Sequence, residues 1–221
     1  LVVSLAAKTT IKQIEQYLDL PNPAIVRIMT TLTVSVGKGV LGYYQNDAVT
    51  SEQKQSIMRI LKAMSTVKEL KKEEDINAFT AAFGCWPGIL AKLLQPHQAI
   101  ATSMLDLTAK EYEQMMIQVL SGVSELLEAQ SSVNTENNIC QQLFNQVASK
   151  GGGTEAAGKH LEENGYSDLL EKAFKIAYAR FLPPSHNPNT MSTPSSLNMF
   201  SPHASVLQQT CNQSSRSNHK P

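Results

Sequence analysis

Residues 108–127, TAKEYEQMMIQVLSGVSELL, carry the most regular pattern in this 221-residue chain and decide its predicted fold. Apolar side chains recur every three or four positions, which is the spacing of one face of an amphipathic α-helix. Thr108 and Glu111 have the residue types and the spacing of a capping box, which marks a helix start. The segment therefore predicts a long helix, and its apolar face consists of Tyr112, Met115, Met116, Val119, Leu120, Val123, Leu126 and Leu127.

The same helical spacing recurs toward the N-terminus. Residues 11–18 predict a first helix, and Asn22 followed by Pro23 provides the cap and the first-turn proline of a second. Thr50 or Ser51 would open a third helix with its side-chain oxygen. Apolar and polar residues alternate nowhere for long enough to predict a β-sheet. These patterns predict an all-α fold.

Further helix signals follow along the chain. Thr66 and Glu69 form another candidate capping box, and residues 84–87 predict a break after which Pro87 can restart a short helix. A last helix is expected to begin at Ser167. The predicted architecture is a compact multi-helix bundle of two packed lobes.

Charge and composition divide the chain into three segments. The predicted N-terminal helical lobe, residues 1–95, has 11 basic and 8 acidic residues, whereas the C-terminal helical lobe, residues 96–182, has 6 basic and 11 acidic residues. Residues 183–221 contain six prolines, nine serines and no acidic residue. Such a segment cannot bury enough apolar surface to offset its loss of backbone entropy. We therefore predict a disordered tail over residues 183–221.

The residue types that carry catalysis do not form a recognisable site in this sequence. Cys85 and His97 could meet as a nucleophile and a base, but Cys85 lies in an apolar run, where burial raises the pKa of a thiol. The histidines and cysteines lack the spacing of metal ligands. The chain is therefore predicted not to be an enzyme, with no cofactor, no metal and no small-molecule substrate. The three cysteines, odd in number, favour an intracellular, reducing compartment.

A cluster of basic residues is the candidate surface for binding RNA or lipid. The 19 basic and 19 acidic residues of the chain balance, so binding to an anionic partner would require a local patch. The acidic residues between 69 and 75 offer the alternative that this is a solvated face of ion pairs. The predicted basic strip, which could contact phosphate groups, consists of Lys54, Arg59, Lys62, Lys68, Lys71 and Lys72.

A glycine-rich segment is the candidate surface for self-association. Three glycines between residues 37 and 42 allow close approach of a neighbouring element, and two tyrosines, if exposed, would suit a contact between proteins. The residues assigned to this contact are Lys38, Gly39, Gly42, Tyr43 and Tyr44.

The same segment resembles a known viral family. KGVLGY at residues 38–43, followed by VTSE at residues 49–52, is similar to a stretch of the orthomyxovirus (influenza-type) matrix proteins. Residues 68–72 resemble that family's basic element, and residues 107–130 resemble a later helix, so the similarity extends over about residues 10–130. The resemblance implies an all-helical structural protein that self-associates into a layer, in the virion interior, between the envelope membrane and the ribonucleoprotein.

Two other functions remain open at this point. Residues 76–94 are loosely similar to a helical segment of small viral nucleoproteins of the bunyavirus type, which encapsidate RNA. A cellular helical scaffold protein would also fit the composition. The expected partners are accordingly a second copy of the chain, RNA or a ribonucleoprotein, and an anionic membrane surface.

Overall fold

A four-stranded β-sheet lies within residues 2–69, so the all-α prediction is wrong. The computed structural model describes residues 1–133 and 138–182, and the predicted tail lies outside them. The strands follow each other in the sheet as they do in the chain; the outer pairs are parallel and the central pair is antiparallel. They are β1 (Val2–Ser4), β2 (Ile25–Thr30), β3 (Gly39–Gln45) and β4 (Ser65–Glu69).

Two helices connect the parallel strands and cover opposite faces of the sheet. The first, α1 (Ile11–Leu18), joins β1 to β2, and α2 (Ser51–Met64) joins β3 to β4. Both helices were predicted, α1 from the spacing of its apolar residues and α2 from a cap at Thr50 or Ser51. In the structure the Thr10 and Thr50 side chains accept backbone N–H groups of the first turn. Side chains that alternate along β2 pack on α1 from one face and on α2 from the other. The β2–β3 connection contains a 3₁₀ helix, Leu32–Val36.

Burial explains why two of these strands resemble helices in the sequence. The first four residues of β2 are all buried, so its sequence IVRIMT lacks the polar alternation of a half-exposed strand. The helix predicted to begin at Asn22 and Pro23 is therefore wrong. The helix start predicted at Thr66 and Glu69 is also wrong, because both residues pair with β3.

The remaining described chain is helical. Helix α3 continues directly into a π-helix, Thr80–Gly84, and Trp86 at the start of α4 stacks on Phe174 of α8 with ring centroids 5.8 Å apart. The predicted boundary between lobes, residues 95 and 96, falls inside α4, and the division into lobes stays a prediction. The helices are α3 (Asp75–Phe79), α4 (Trp86–Leu105), α5 (Ala109–Val133), α6 (Ile139–Val147), α7 (Gly153–Glu163) and α8 (Tyr166–Ala179).

The sheet holds most of the core, whereas the long helices expose apolar side chains. Two buried clusters surround β2 and β3, one under each of α1 and α2. The capping box that was predicted for α5 is present, but Met115 and Val119 on its apolar face are 56% and 55% exposed. Among the described helices, none combines the length and the apolar character needed to cross a bilayer.

Candidate active site

The carboxyl ends of β1 and β2 form the edge where a ligand site is expected. These strands are parallel and adjacent, and in open α/β sheets ligands bind beyond the carboxyl ends of such strands. Thr31, directly after β2, is buried; its Oγ1 accepts the N–H of Val40 at 3.0 Å and lies 2.7 Å from Thr33 Oγ1. Hydroxyl groups therefore line the end of β2.

The π-helix packs against β2 and contributes a further buried hydroxyl. The Cys85 N–H donates to the Thr80 carbonyl at 2.9 Å, which closes a wide π-type turn, and such turns occur frequently at functional sites. Thr80 Oγ1 donates to the Ile76 carbonyl at 2.6 Å. Gly42 of β3 permits the close approach of α3, which precedes the π-helix, because a Cβ there would lie 2.8 Å from Cγ of Phe79.

An ion pair between a buried arginine and a partly buried glutamate links the segments that meet at this edge. Arg27 of β2 is 4% exposed, and its Nη1 lies 2.7 Å from Oε1 of Glu73. Nη2 of Arg27 donates to the carbonyls of Ala6 and Ala7, at 3.2 and 3.3 Å. The same Glu73 oxygen accepts the N–H of Ile11, the first residue of α1, at 2.7 Å.

The basic strip is distributed over three elements and does not share one helix face. Lys54 binds Glu69, with its Nζ 2.7 and 2.9 Å from the two carboxylate oxygens. Hydrogen bonding to Glu69 raises the pKa of Lys54, and the bond from Lys54 lowers the pKa of Glu69. Exposed Arg59 and Lys62 lie on α2, exposed Lys68 lies on β4, and exposed Lys71 and Lys72 lie between β4 and α3. RNA or lipid binding by the strip stays a prediction.

Most of the residues predicted for self-association pack against neighbouring elements of the sheet region. Tyr43 is 3% exposed, so it is not the exposed contact residue expected from the sequence; burial, followed by its hydrogen bond to Glu69, raises its pKa. Tyr44 packs on the cluster under α1, and Gly39 lies against Val34 of the 3₁₀ helix. Lys38 precedes β3 at an exposed position.

Comparison with known proteins identifies the relatives of this chain. Residues 73–182 match the family model described as pyrroline-5-carboxylate reductase dimerisation. The Pseudomonas aeruginosa pyrroline-5-carboxylate reductase is 30% identical over 180 residues, which cover 81% of this chain and 63% of that protein. The Synechocystis pyrroline-5-carboxylate reductase is 27% identical over 182 residues. The chain thus spans about 63% of the length of the curated relatives it matches.

Solved pyrroline-5-carboxylate reductases share the fold. The Coxiella burnetii reductase is 30% identical with a TM-score of 0.71, over 81% of this chain and 64% of that one. The Plasmodium falciparum pyrroline carboxylate reductase, solved with NADP bound, is 23% identical with a TM-score of 0.70, over 82% of this chain and 66% of that one.

These matches overturn the functions expected from the sequence. The orthomyxovirus resemblance is wrong, and so are the matrix, nucleoprotein and scaffold functions and the prediction that the chain is not an enzyme, because its relatives are reductases. The KGVLGY segment that carried the resemblance forms strand β3. The match to a dimerisation model supports the predicted homo-oligomer. The predicted absence of a small-molecule substrate conflicts with the reductases that this chain resembles, and RNA and membrane partners find no support.

Three glycines have the spacing of a dinucleotide-binding fingerprint, but they do not lie in the strand–turn–helix unit that this fingerprint requires. Gly37, Gly39 and Gly42 have the G-x-G-x-x-G spacing, which requires a strand, a tight turn and then a helix N-terminus. Here the last two glycines lie within β3, packed against Val34 and Phe79. This segment therefore does not fit a dinucleotide phosphate.

The sequence analysis did not single out Thr31, Thr80, Arg27 or Glu73, and of these Arg27 and Glu73 meet only through the fold. An arginine inside an otherwise apolar run was the one available signal for this ion pair, because a charge among buried residues requires a partner. No local signal indicates that this partner lies 46 residues further along the chain.

Proposed function

We propose that this chain acts in a pyrroline-5-carboxylate reductase, reducing the cyclic imine to the corresponding saturated amino acid, proline, with a nicotinamide cofactor as the reductant. The observation that carries the proposal is the 30% identity to the P. aeruginosa reductase over 180 residues. These span both the sheet and the helical segment, and the C. burnetii reductase has the same arrangement of elements.

The chemistry at the carboxyl edge is compatible with imine reduction. Adding a hydride to the carbon of a C=N bond and a proton to its nitrogen requires orientation and exclusion of water rather than a protein nucleophile. The edge offers hydroxyl groups of Thr30 and Thr31. Within the described residues, no cluster of histidine, cysteine and carboxylate side chains could hold a metal ion.

We further propose that the functional unit is a homodimer built on the helical segment. The family model matched by residues 73–182 is a dimerisation model. Apolar side chains of α5 are exposed on several sides of the helix in a single chain, among them Met115, Ile117, Val119 and Leu126. A helix that is apolar on several sides is expected to be buried, and a second copy of the chain would bury this one.

The direct test is turnover of the purified chain with pyrroline-5-carboxylate and NADPH, followed by absorbance of the reduced cofactor and by detection of proline. Imine-dependent oxidation of the cofactor with formation of proline is expected. The Oγ1 of Thr30 makes only long contacts, 3.4 and 3.5 Å, so Thr30→Val should preserve the fold and reduce kcat/KM. The matched control is Thr66→Val, two strands away and therefore about 10 Å distant. Cofactor oxidation without proline, or no turnover, would contradict the proposal.

A further inference from the structure

Arg27 and Glu73 form a junction between three separate parts of the chain. One guanidinium nitrogen binds Glu73, and the other binds the Ala6 and Ala7 carbonyls, which follow β1. The Glu73 oxygen that receives Arg27 also receives the N–H of Ile11, an N-terminal amide of α1 without an acceptor in its own helix. The junction therefore joins β2, the segment between β1 and α1, and the segment that leads into α3.

All three parts lead directly to the candidate active site. Ala6 and Ala7 lie just beyond the carboxyl end of β1, and Arg27 pairs in register with Ser4, the last residue of β1. Glu73 precedes α3, which continues without interruption into the π-helix. One pair of side chains thus ties the β1–α1 segment to the residues that lead into the π-helix, in addition to the direct packing of that helix on the sheet.

An ion pair whose arginine is buried and whose glutamate is partly exposed is a costly way to stabilise a fold. Desolvation of two charges offsets much of their attraction, and well-packed apolar residues of similar volume stabilise equally well or better. What an apolar pair cannot do is receive an amide and donate to two carbonyls in fixed geometry, as the planar fork of arginine does here.

We propose that Arg27 and Glu73 are positioning residues for the reaction, holding the β1–α1 segment and the π-helix at the separation that the substrate site requires. The proposal rests on the proposed reductase function for its catalytic part. Neither side chain is assigned a contact with the substrate.

Among the described residues, a second ion pair between a strand and another element provides a matched control. Lys54 and Glu69 join α2 to β4 with a similar distance, 2.7 Å, but on the α2 face of the sheet and two strands away from β2. Glu73→Gln and Glu69→Gln therefore remove the same charge from the two pairs. Glutamine keeps an acceptor oxygen, so both variants are expected to fold.

Measuring kcat together with the melting temperature distinguishes a positioning role of this ion pair from a purely stabilising one. We expect Glu73→Gln and Arg27→Lys to reduce kcat by roughly 10- to 100-fold, the loss that follows from misplacing reacting groups by about 1 Å. Glu69→Gln should retain kcat within about twofold at the same temperature. The double variant Arg27→Met, Glu73→Leu should keep a melting temperature near that of the wild type yet lose kcat. Retained kcat in the double variant would overturn the proposal.

Hydrogen exchange provides a measurement that does not depend on activity. Amides of residues 5–12 and 75–84 should exchange faster in Glu73→Gln than in the wild type, and should be unchanged in Glu69→Gln. If these amides exchange at the wild-type rate in Glu73→Gln, the positioning proposal is wrong even where activity falls. If the wild type does not reduce the imine, the proposed function fails. Even then, faster exchange in Glu73→Gln that is confined to residues 5–12 and 75–84 would support the positioning role.

Discussion

Gly42 of β3 and Phe79 of α3 meet where the helical segment rests on the sheet. A Cβ at position 42 would lie 2.8 to 3.0 Å from three ring carbons of Phe79. The ring is buried, so it has little space into which it could move. A single hydrogen in place of a side chain thus determines how closely α3, and the π-helix after it, approach the strand.

Gly42→Ala should lower the free energy of unfolding by about 1–3 kcal/mol, because the inserted methyl group overpacks this contact. Urea denaturation measures the change. Gly88→Ala is the control: no atom lies within 4 Å of a Cβ there, so stability should stay the same or rise slightly. Equal stability of the Gly42 variant and the wild type would show that α3 can shift freely.

Glu69 should contribute a pH-dependent part of the stability. Its pKa in the folded chain is lowered, first by the hydrogen bond from Lys54 and then by that from Tyr43. The unfolded chain therefore takes up this proton first as the pH falls, so the stabilisation is present above the ordinary carboxyl pKa and is lost as the pH falls through the folded one.

The melting temperature of Glu69→Gln should accordingly lie below that of the wild type at neutral pH. The two values should converge as the pH falls from about 5 to about 3. Differential scanning calorimetry across this range checks the expectation. A difference that persists at the acid end would mean that Glu69 acts through packing rather than through its charge.

Local signals specify helices better than strands in this chain. The caps at Thr50 and Thr108 act within three residues, and both were predicted from the sequence; the cap at Thr10 acts over the same distance but was not predicted. Strand β2 is buried on both faces, so its apolar run carries no alternation and was attributed to a helix. Alternation of apolar and polar residues predicts a strand with one exposed face, so it cannot reveal a strand that is buried on both faces.

Helix α4 runs through Pro96, although proline removes one backbone hydrogen bond and crowds the preceding turn. Pro96→Ala should therefore raise the free energy of unfolding, by up to about 3 kcal/mol. Pro87→Ala in the first turn, where the N–H has no partner in the helix, should change little. Chemical denaturation followed by circular dichroism compares the two. A destabilised Pro96→Ala would show that packing of α4 depends on a bend at this position.

On the scale of the whole molecule, sheet and helices differ in how they bury apolar surface. The sheet region contains its own core, whereas α5 exposes apolar side chains, among them Met115 and Val119 of the face that the sequence predicted to be apolar. The sequence could therefore indicate the helix but not what covers it. The candidate site was beyond prediction for a related reason, since Ile11 and Glu73, which share one hydrogen bond, lie 62 residues apart.

If a second copy covers α5, charges on its apolar face should separate the copies. Met115→Glu combined with Val119→Glu should raise the dimer Kd by on the order of tenfold or more, because carboxylates would be buried without partners. Gln114→Glu with Gln118→Glu adds the same charge to exposed polar positions of the same helix and should perturb the dimer less. Sedimentation velocity measures both. Identical sedimentation of all three proteins would place the interface elsewhere.

The stacking of Trp86 on Phe174 makes the intrinsic tryptophan fluorescence a probe of the helical region. Trp86 is the chain's single tryptophan, and its partner lies on α8, so its emission follows the helical region and not the sheet. Comparing denaturation curves from intrinsic fluorescence with curves from backbone ellipticity would therefore reveal whether the two regions lose their structure in one cooperative step or one after the other.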